Sequence, residues 1–170
     1  MGLFDWFKTL ASGKDADRHD VPANAGDTRV AEPDHALEDD PDAGLVAGLN
    51  FKTAIDAHML WKSRLKKVID GTNSEQLDVD TVSRDDKCVL GKWINGPGRE
   101  KFGALREFQE LKMDHAHFHL AAGDILACAF AGDTEGAEHR LNTGEYTRIS
   151  ERVKLHLARL YIQISGKNVD

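Results

Sequence analysis

The sequence predicts an all-α protein, an antiparallel four-helix bundle preceded by a disordered acidic N-terminal tail. Two observations carry this prediction. From Leu45 onward, apolar residues recur at the three- and four-residue spacing of amphipathic helices, and no alternating strand pattern competes with them. The net charge of -7 lies entirely in the first 50 residues, which hold eleven acidic and four basic side chains. A neutral folded domain of residues 45–165 is therefore expected to follow a charged tail.

The tail divides into two predicted parts. Residues 13–44 form a disordered acidic linker, because they hold three of the four prolines and almost no large apolar side chain. Residues 1–12 form a short amphipathic segment that is too short to be a stable helix alone in water. We expect it to order against the body of the protein, or to make a weak contact with a membrane or partner. The apolar residues of this segment are Leu3, Phe4, Trp6, Phe7 and Leu10.

Four helices are predicted within the bundle, each bounded by glycine-containing turns. Each carries an apolar seam at helical spacing, and short connections join consecutive helices. We therefore expect neighbouring helices to run antiparallel. The predicted ranges are Leu45–Ile69, Asp80–Ile94, Gly103–Ala131 and Thr134–Ile164.

Composition excludes several classes of protein. Neither part of the chain offers a basic stripe, so no nucleic-acid partner is expected. There is no secretory signal pattern and no apolar run long enough to span a bilayer, so we expect a cytoplasmic protein, peripheral at the inner membrane if residues 1–12 touch lipid. The two cysteines, Cys88 and Cys128, do not suggest a disulfide framework in that compartment.

The strongest chemical signal is a pair of histidines in the third predicted helix. His115 and His119 are four residues apart and so share one helical face, where their imidazoles can chelate a divalent ion. Cys88 and His58 are natural candidates for the remaining ligands, each near the middle of its predicted helix. Histidines at this spacing are also common as ordinary core or surface residues, so the spacing alone leaves both interpretations open.

A zinc ion held by one thiolate and three neutral imidazoles would carry a net charge of +1. Nearby carboxylates are candidates to compensate this charge and to orient a ligand imidazole. Two tryptophans are expected to pack around the site. These possible supporting residues are Asp85, Asp86, Asp114, Trp61 and Trp93.

Three sequence motifs resemble the chemoreceptor zinc-binding domain family, often called CZB. They are His58-Met59-Leu60-Trp61, Cys88-Val89-Leu90-Gly91-Lys92-Trp93-Ile94 and His115-Ala116-His117-Phe118-His119, in the family's order. The resemblance covers about residues 48–163. It implies a four-helix bundle with Zn²⁺ bound by His58, Cys88, His115 and His119.

The resemblance also implies a function. Family members serve as sensory modules of chemoreceptors or diguanylate cyclases, so it implies a homodimer that reports zinc level, or oxidant exposure at the thiolate of Cys88, to a partner in chemotaxis or a cyclic-di-GMP pathway. This chain departs from that arrangement, because it has no long coiled coil and no cyclase-sized second domain.

Three other functions are compatible with a helical bundle that binds a metal. A zinc enzyme is not expected, because four protein ligands leave no open position and no nearby glutamate stands out as a base. A zinc-dependent structural adaptor would dock through residues 1–12. A hemerythrin-like di-iron bundle would need further histidine and carboxylate ligands at helical spacing.

Overall fold

A computed structural model describes residues 44–166 of the chain, together with Phe7 and Ala11. The described part is mostly helical, which confirms the predicted class. A small antiparallel hairpin precedes the helices, and a 3-10 turn at Asp85–Lys87 separates two of them. The elements are β1 Leu45–Val46, β2 Leu49–Asn50, α1 Phe51–Ile69, α2 Val79–Ser83, α3 Val89–Asn95, α4 Pro97–Phe102, α5 Arg106–Phe130, α6 Thr134–Thr143 and α7 Glu145–Ser165.

The start of the first predicted helix and the expected absence of strands are both wrong. Residues 45–50 form a hairpin whose two turn residues, Ala47 and Gly48, have φ angles of 50° and 83°. Positive φ at both positions matches the twist of a two-residue hairpin. The helix begins at Phe51 because the side chain of Asn50 accepts a hydrogen bond from the Thr53 amide at 2.9 Å.

The second predicted helix is broken into three pieces. Arg84 and Cys88 have extended backbone conformations, which interrupt the helix before and after the 3-10 turn. Cys88 is therefore the N-cap residue of α3, and the expectation that it lies mid-helix is wrong. The turn packs so closely against α3 that a Cβ added to Gly91 would lie 1.6 Å from the carbonyl oxygen of Asp85. The absence of a side chain at this glycine permits the close approach.

The fourth predicted helix is also interrupted, whereas the third forms α5 close to its predicted bounds. Helix α4 precedes α5 as a separate element, and Gly144 divides the fourth predicted helix into α6 and α7. The four continuous helices of the prediction are thus not found in residues 44–166. Helices α1, α5, α6 and α7 all pack against one another, and the antiparallel four-helix arrangement remains a prediction.

The core lies around α5, whose closest packing partner is α7. Helices α1, α5, α6 and α7 each turn a face of buried or half-buried apolar side chains toward the core. Burial of these side chains explains why the helices assemble along these faces. No helix of the described residues is long and apolar enough to cross a bilayer. The fully buried seam residues of α5 include Phe108, Leu111, Phe118 and Ala122.

Part of the N-terminal segment packs against the body of the protein. Phe7 and Ala11 are helical, and the side chain of Phe7 is fully buried. Its ring stacks on Tyr161 with a centroid distance of 4.0 Å. Phe7 is therefore covered by the protein itself in this structure. The other predicted contact residues, Leu3, Phe4, Trp6 and Leu10, lie outside the described residues, as does the predicted linker except for Gly44.

Candidate metal centre

The structure brings three of the predicted ligands together inside the protein. His58 comes from α1, whereas His115 and His119 lie one turn apart on α5. Their exposed fractions are 5%, 0% and 2%. One ring nitrogen of each lies within 4.8 Å of the others, a separation that one metal ion can bridge.

Backbone carbonyl groups orient two of these imidazoles. The Nδ1–H group of His58 donates to the Ala54 oxygen at 2.9 Å, and that of His119 donates to the Val82 oxygen at 2.7 Å. Because a carbonyl only accepts, both rings carry their proton on Nδ1 and leave Nε2 as a bare lone pair. Neither buried Nε2 atom has a hydrogen-bond partner among the described residues. An unpaired buried polar atom costs about 1–3 kcal/mol, which a bound cation would offset.

Cys88 lies beside this group, at the start of α3. Its Sγ atom lies 3.3 Å from Nε2 of His115. Two ligands of one tetrahedral zinc ion, with Zn–S near 2.3 Å and Zn–N near 2.0–2.1 Å, are about 3.6 Å apart. The Sγ atom also accepts a hydrogen bond from the Gly91 amide at 3.2 Å. The three ring nitrogens thus fit a bound metal ion, and Cys88, beside His115, is the candidate for a fourth ligand.

Burial sets the protonation of these four groups. Desolvation, followed by neighbouring imidazoles, lowers the pKa of His115 to about 2. Desolvation likewise lowers the pKa of His58 to about 4 and also lowers that of His119. All three rings are therefore neutral near pH 7, the form that ligates metals. Burial raises the pKa of the Cys88 thiol, so binding a metal there displaces a proton.

The metal-free protein is expected to lose stability steeply as the pH falls below about 6.5, the ordinary histidine pKa. The unfolded chain takes up protons there while buried His58 and His115 stay neutral until about pH 4 and about pH 2. Each ring should contribute about 1.4 kcal/mol of unfolding free energy per pH unit. Urea unfolding between pH 5 and 7 in a chelator, at about half-unit steps, measures this slope.

A matched pair of variants isolates the contribution of one imidazole. His115→Gln should reduce the slope by about one ring's share. His117→Gln changes an exposed ring on the same helix and should leave the slope as in the wild type. Equal slopes for the two variants would contradict the assignment of His115 as a buried neutral imidazole.

Two of the three predicted supporting carboxylates contact other groups. Asp114 is buried, but it pairs with Arg152 at 2.7 Å and with His156 at 3.3 Å. Asp86 pairs with Arg84 at 2.9 Å on the surface. Asp85 comes closest to the site, because its carbonyl oxygen lies 3.7 Å from the Sγ atom of Cys88. Backbone oxygens, which no sequence motif marks, thus provide the hydrogen bonds to the candidate ligands.

The two predicted tryptophans have different surroundings. The ring of Trp61 approaches His119 edge-on at 6.3 Å, and Arg64 lies 4.0 Å above it. Trp93 instead donates its Nε1–H group to the Ala47 oxygen at 3.1 Å, which fastens α3 to the hairpin. Trp61 therefore borders the candidate site, and Trp93 supports the element that begins with Cys88.

An apolar cleft connects the candidate site with the surface. Its volume is about 480 Å³, and both His58 and Cys88 line it. Leu60 and Val89 stand beside it with 60% and 74% of their surface exposed. The sulfur side of the site is therefore close to solvent, whereas the imidazoles lie deeper.

A second polar group joins α5 to α7 away from the three imidazoles. The Nδ1 atom of His156 lies 2.7 Å from Glu107 and 3.7 Å from Glu110, while its Nε2 atom faces Asp114. The ring of His156 is buried. The sequence does not indicate the carboxylates around this ring, because they come from one helix and the histidine from another.

Residues 58–126 match the family described as the chemoreceptor zinc-binding domain. This match supports a domain of that family over these residues. The matched range contains His58, Cys88, His115 and His119. No curated protein and no solved structure matches the chain significantly. The zinc-binding domain and its buried histidine group, with Cys88 beside it, support Zn²⁺ as the cofactor.

Proposed function

We propose that this protein is a zinc-binding regulatory module whose four ligands are His58, Cys88, His115 and His119. The observation that carries the proposal is the convergence of two bare, buried Nε2 atoms with the Cys88–His115 contact of 3.3 Å. A bound zinc supplies a divalent charge that holds the thiolate and the neutral imidazoles together. The family is one of regulatory zinc-binding domains, in agreement with a sensory rather than a catalytic role.

The arrangement of the ligands suggests how such a module would respond. They come from α1, from the start of α3 and from α5, which are separate elements of the fold. A change in ligation would therefore alter the packing of three elements together. We propose that a partner protein of a chemoreceptor or cyclic-di-GMP pathway senses this change. The second subunit of a homodimer could transmit it to that partner.

Oxidant exposure is the second signal that we propose for this site. Cys88 lines the apolar cleft, where a small oxidant could reach it. The thiolate is the form of cysteine that oxidants attack. Attack of the thiolate on hydrogen peroxide breaks the O–O bond and yields a sulfenic acid and hydroxide. A sulfenic acid is a poorer metal ligand than a thiolate. Oxidation would therefore weaken the bond by which Cys88 links α3 to the metal.

Treatment of the zinc-loaded protein with hydrogen peroxide or hypochlorous acid is therefore expected to release zinc. A colorimetric zinc indicator follows the release, and mass spectrometry follows oxidation of Cys88. Cys128→Ser is the matched control, because Cys128 is also half-buried but lies outside the candidate site; it should release zinc as the wild type does. Cys88→Ser should have no oxidant-dependent release. Zinc that stays bound through complete oxidation of Cys88 would rule out the oxidant signal.

The alternatives receive less support. A hemerythrin-like di-iron centre needs carboxylate ligands, and among the described residues the group around His58 contains only histidines. An adaptor that docks through residues 1–12 would have to expose Phe7, which is buried here.

A further inference from the structure

The N-terminal segment has a defined contact with the bundle. Phe7 is fully buried, and its ring lies nearly parallel to that of Tyr161, with an angle of 28° between the planes. Ala11, one helical turn later, packs against the same core. Stacked aromatic pairs are more favourable than their buried area alone suggests. Phe7 therefore anchors the segment to the body of the protein.

Tyr161 receives the ring of Phe7, and Phe51 packs against Tyr161; we call these two rings the aromatic seat. They are Tyr161, near the end of α7, and Phe51, the first residue of α1, with ring centroids 5.5 Å apart. Phe51 in turn contacts the edge of Trp93 at 5.4 Å. Trp93 thus links the aromatic seat to α3.

The same elements also carry two of the proposed zinc ligands. Trp93 lies on α3, which begins at its N-cap Cys88. Phe51 and His58 are seven residues apart on α1 and so occupy one face of that helix. Any movement of Cys88 or His58 that shifts α3 or α1 would displace the inner side of the seat.

We propose that the aromatic seat is a docking surface for the N-terminal segment of this chain, and that zinc binding favours the docked state. This inference rests on the proposed zinc-binding function. With Cys88 and His58 held by the metal, Trp93 and Phe51 would support the ring of Tyr161 on which Phe7 stacks. When the metal leaves, the seat loosens and the segment is released. Its apolar face, which the sequence places on Leu3, Trp6, Phe7 and Leu10, then becomes available to a partner.

Hydrogen exchange of the zinc-loaded full chain tests the docking itself. Tyr161→Ala should speed exchange of the peptide containing residues 4–11 roughly tenfold, because the stacked partner of Phe7 is lost. Tyr161→Phe keeps the ring and should match the wild type. Equal exchange in the wild type and Tyr161→Ala would overturn the docking surface.

Zinc affinity tests the coupling, since linkage between two sites is reciprocal. If zinc favours docking, Phe7→Ala must weaken zinc binding, by roughly fivefold or more in a competition titration with a chromophoric chelator. Phe130→Ala removes an exposed aromatic ring and should leave the affinity unchanged. Equal affinities for Phe7→Ala and the wild type would overturn the coupling. A wild type that binds no zinc would refute the proposed function instead, while the exchange experiment still decides the docking.

Discussion

The zinc-loaded protein is expected to melt roughly 15 °C above the chelator-treated protein, the largest effect that the structure predicts. A ligand present at about 1,000 times its dissociation constant stabilises the folded state by about 4 kcal/mol. Zinc can reach this range here because its proposed ligands join α1, α3 and α5. It also gives the unpaired Nε2 atoms of His58 and His119 a partner.

Differential scanning calorimetry with and without zinc measures this shift. His119→Ala should abolish most of it, because one of the two bare Nε2 atoms is removed. His117→Ala, two residues away and exposed on the same helix, should retain the full shift. A zinc-dependent shift of the same size in His119→Ala would show that zinc stabilises the protein from another position.

Gly91→Ala is expected to cost more than about 3 kcal/mol of unfolding free energy and to reduce zinc binding. The added methyl group would lie 1.6 Å from the Asp85 carbonyl oxygen and 3.2 Å from Cε1 of His115. The first of these atoms belongs to the backbone and cannot rotate away, so the 3-10 turn and α3 must separate. That movement would also disturb the Gly91 amide that donates to the sulfur of Cys88.

Urea unfolding and zinc content of the same preparation measure both consequences. Gly96→Ala is a suitable control, because its added Cβ would lie 3.0 Å from the nearest atom, the Lys92 oxygen. It should cost less stability and leave zinc binding close to that of the wild type. If Gly91→Ala were as stable and as zinc-rich as Gly96→Ala, the tight turn would have no role in placing Cys88.

The sequence allowed much of the candidate site to be predicted, for a simple reason. The His115–His119 pair depends only on helical periodicity, which a long amphipathic helix preserves. The burial of His58 followed from its position on the apolar seam of the first helix. Local patterns of this kind survive in the structure because helix α5 and most of helix α1 formed where the apolar spacing placed them.

The errors arose where local backbone interactions outweighed helical periodicity. The hairpin before α1 depends on positive φ angles at Ala47 and Gly48, and the cap of Asn50 then fixes the helix start. The extended conformation of Cys88 depends on close contact between the 3-10 turn and Gly91. Spacing alone contains no information on such contacts.

The roles of the polar side chains were harder still to predict. Asp114 directly precedes His115 in the sequence, yet it faces Arg152 on α7. The oxygens that orient His58 and His119 belong to the backbone of Ala54 and Val82. Partners on other helices, and partners in the backbone, become visible only when the elements are packed.

Metal analysis of the purified protein by plasma mass spectrometry tests the central claim most directly. The wild type should contain about one zinc per chain, as a single tetrahedral site requires. Cys88→Ala and His119→Ala should contain clearly less, whereas Cys128→Ala should equal the wild type. A wild type without zinc, with all three variants folded as it is, would mean that these residues only pack the core, and the zinc-dependent account would be wrong.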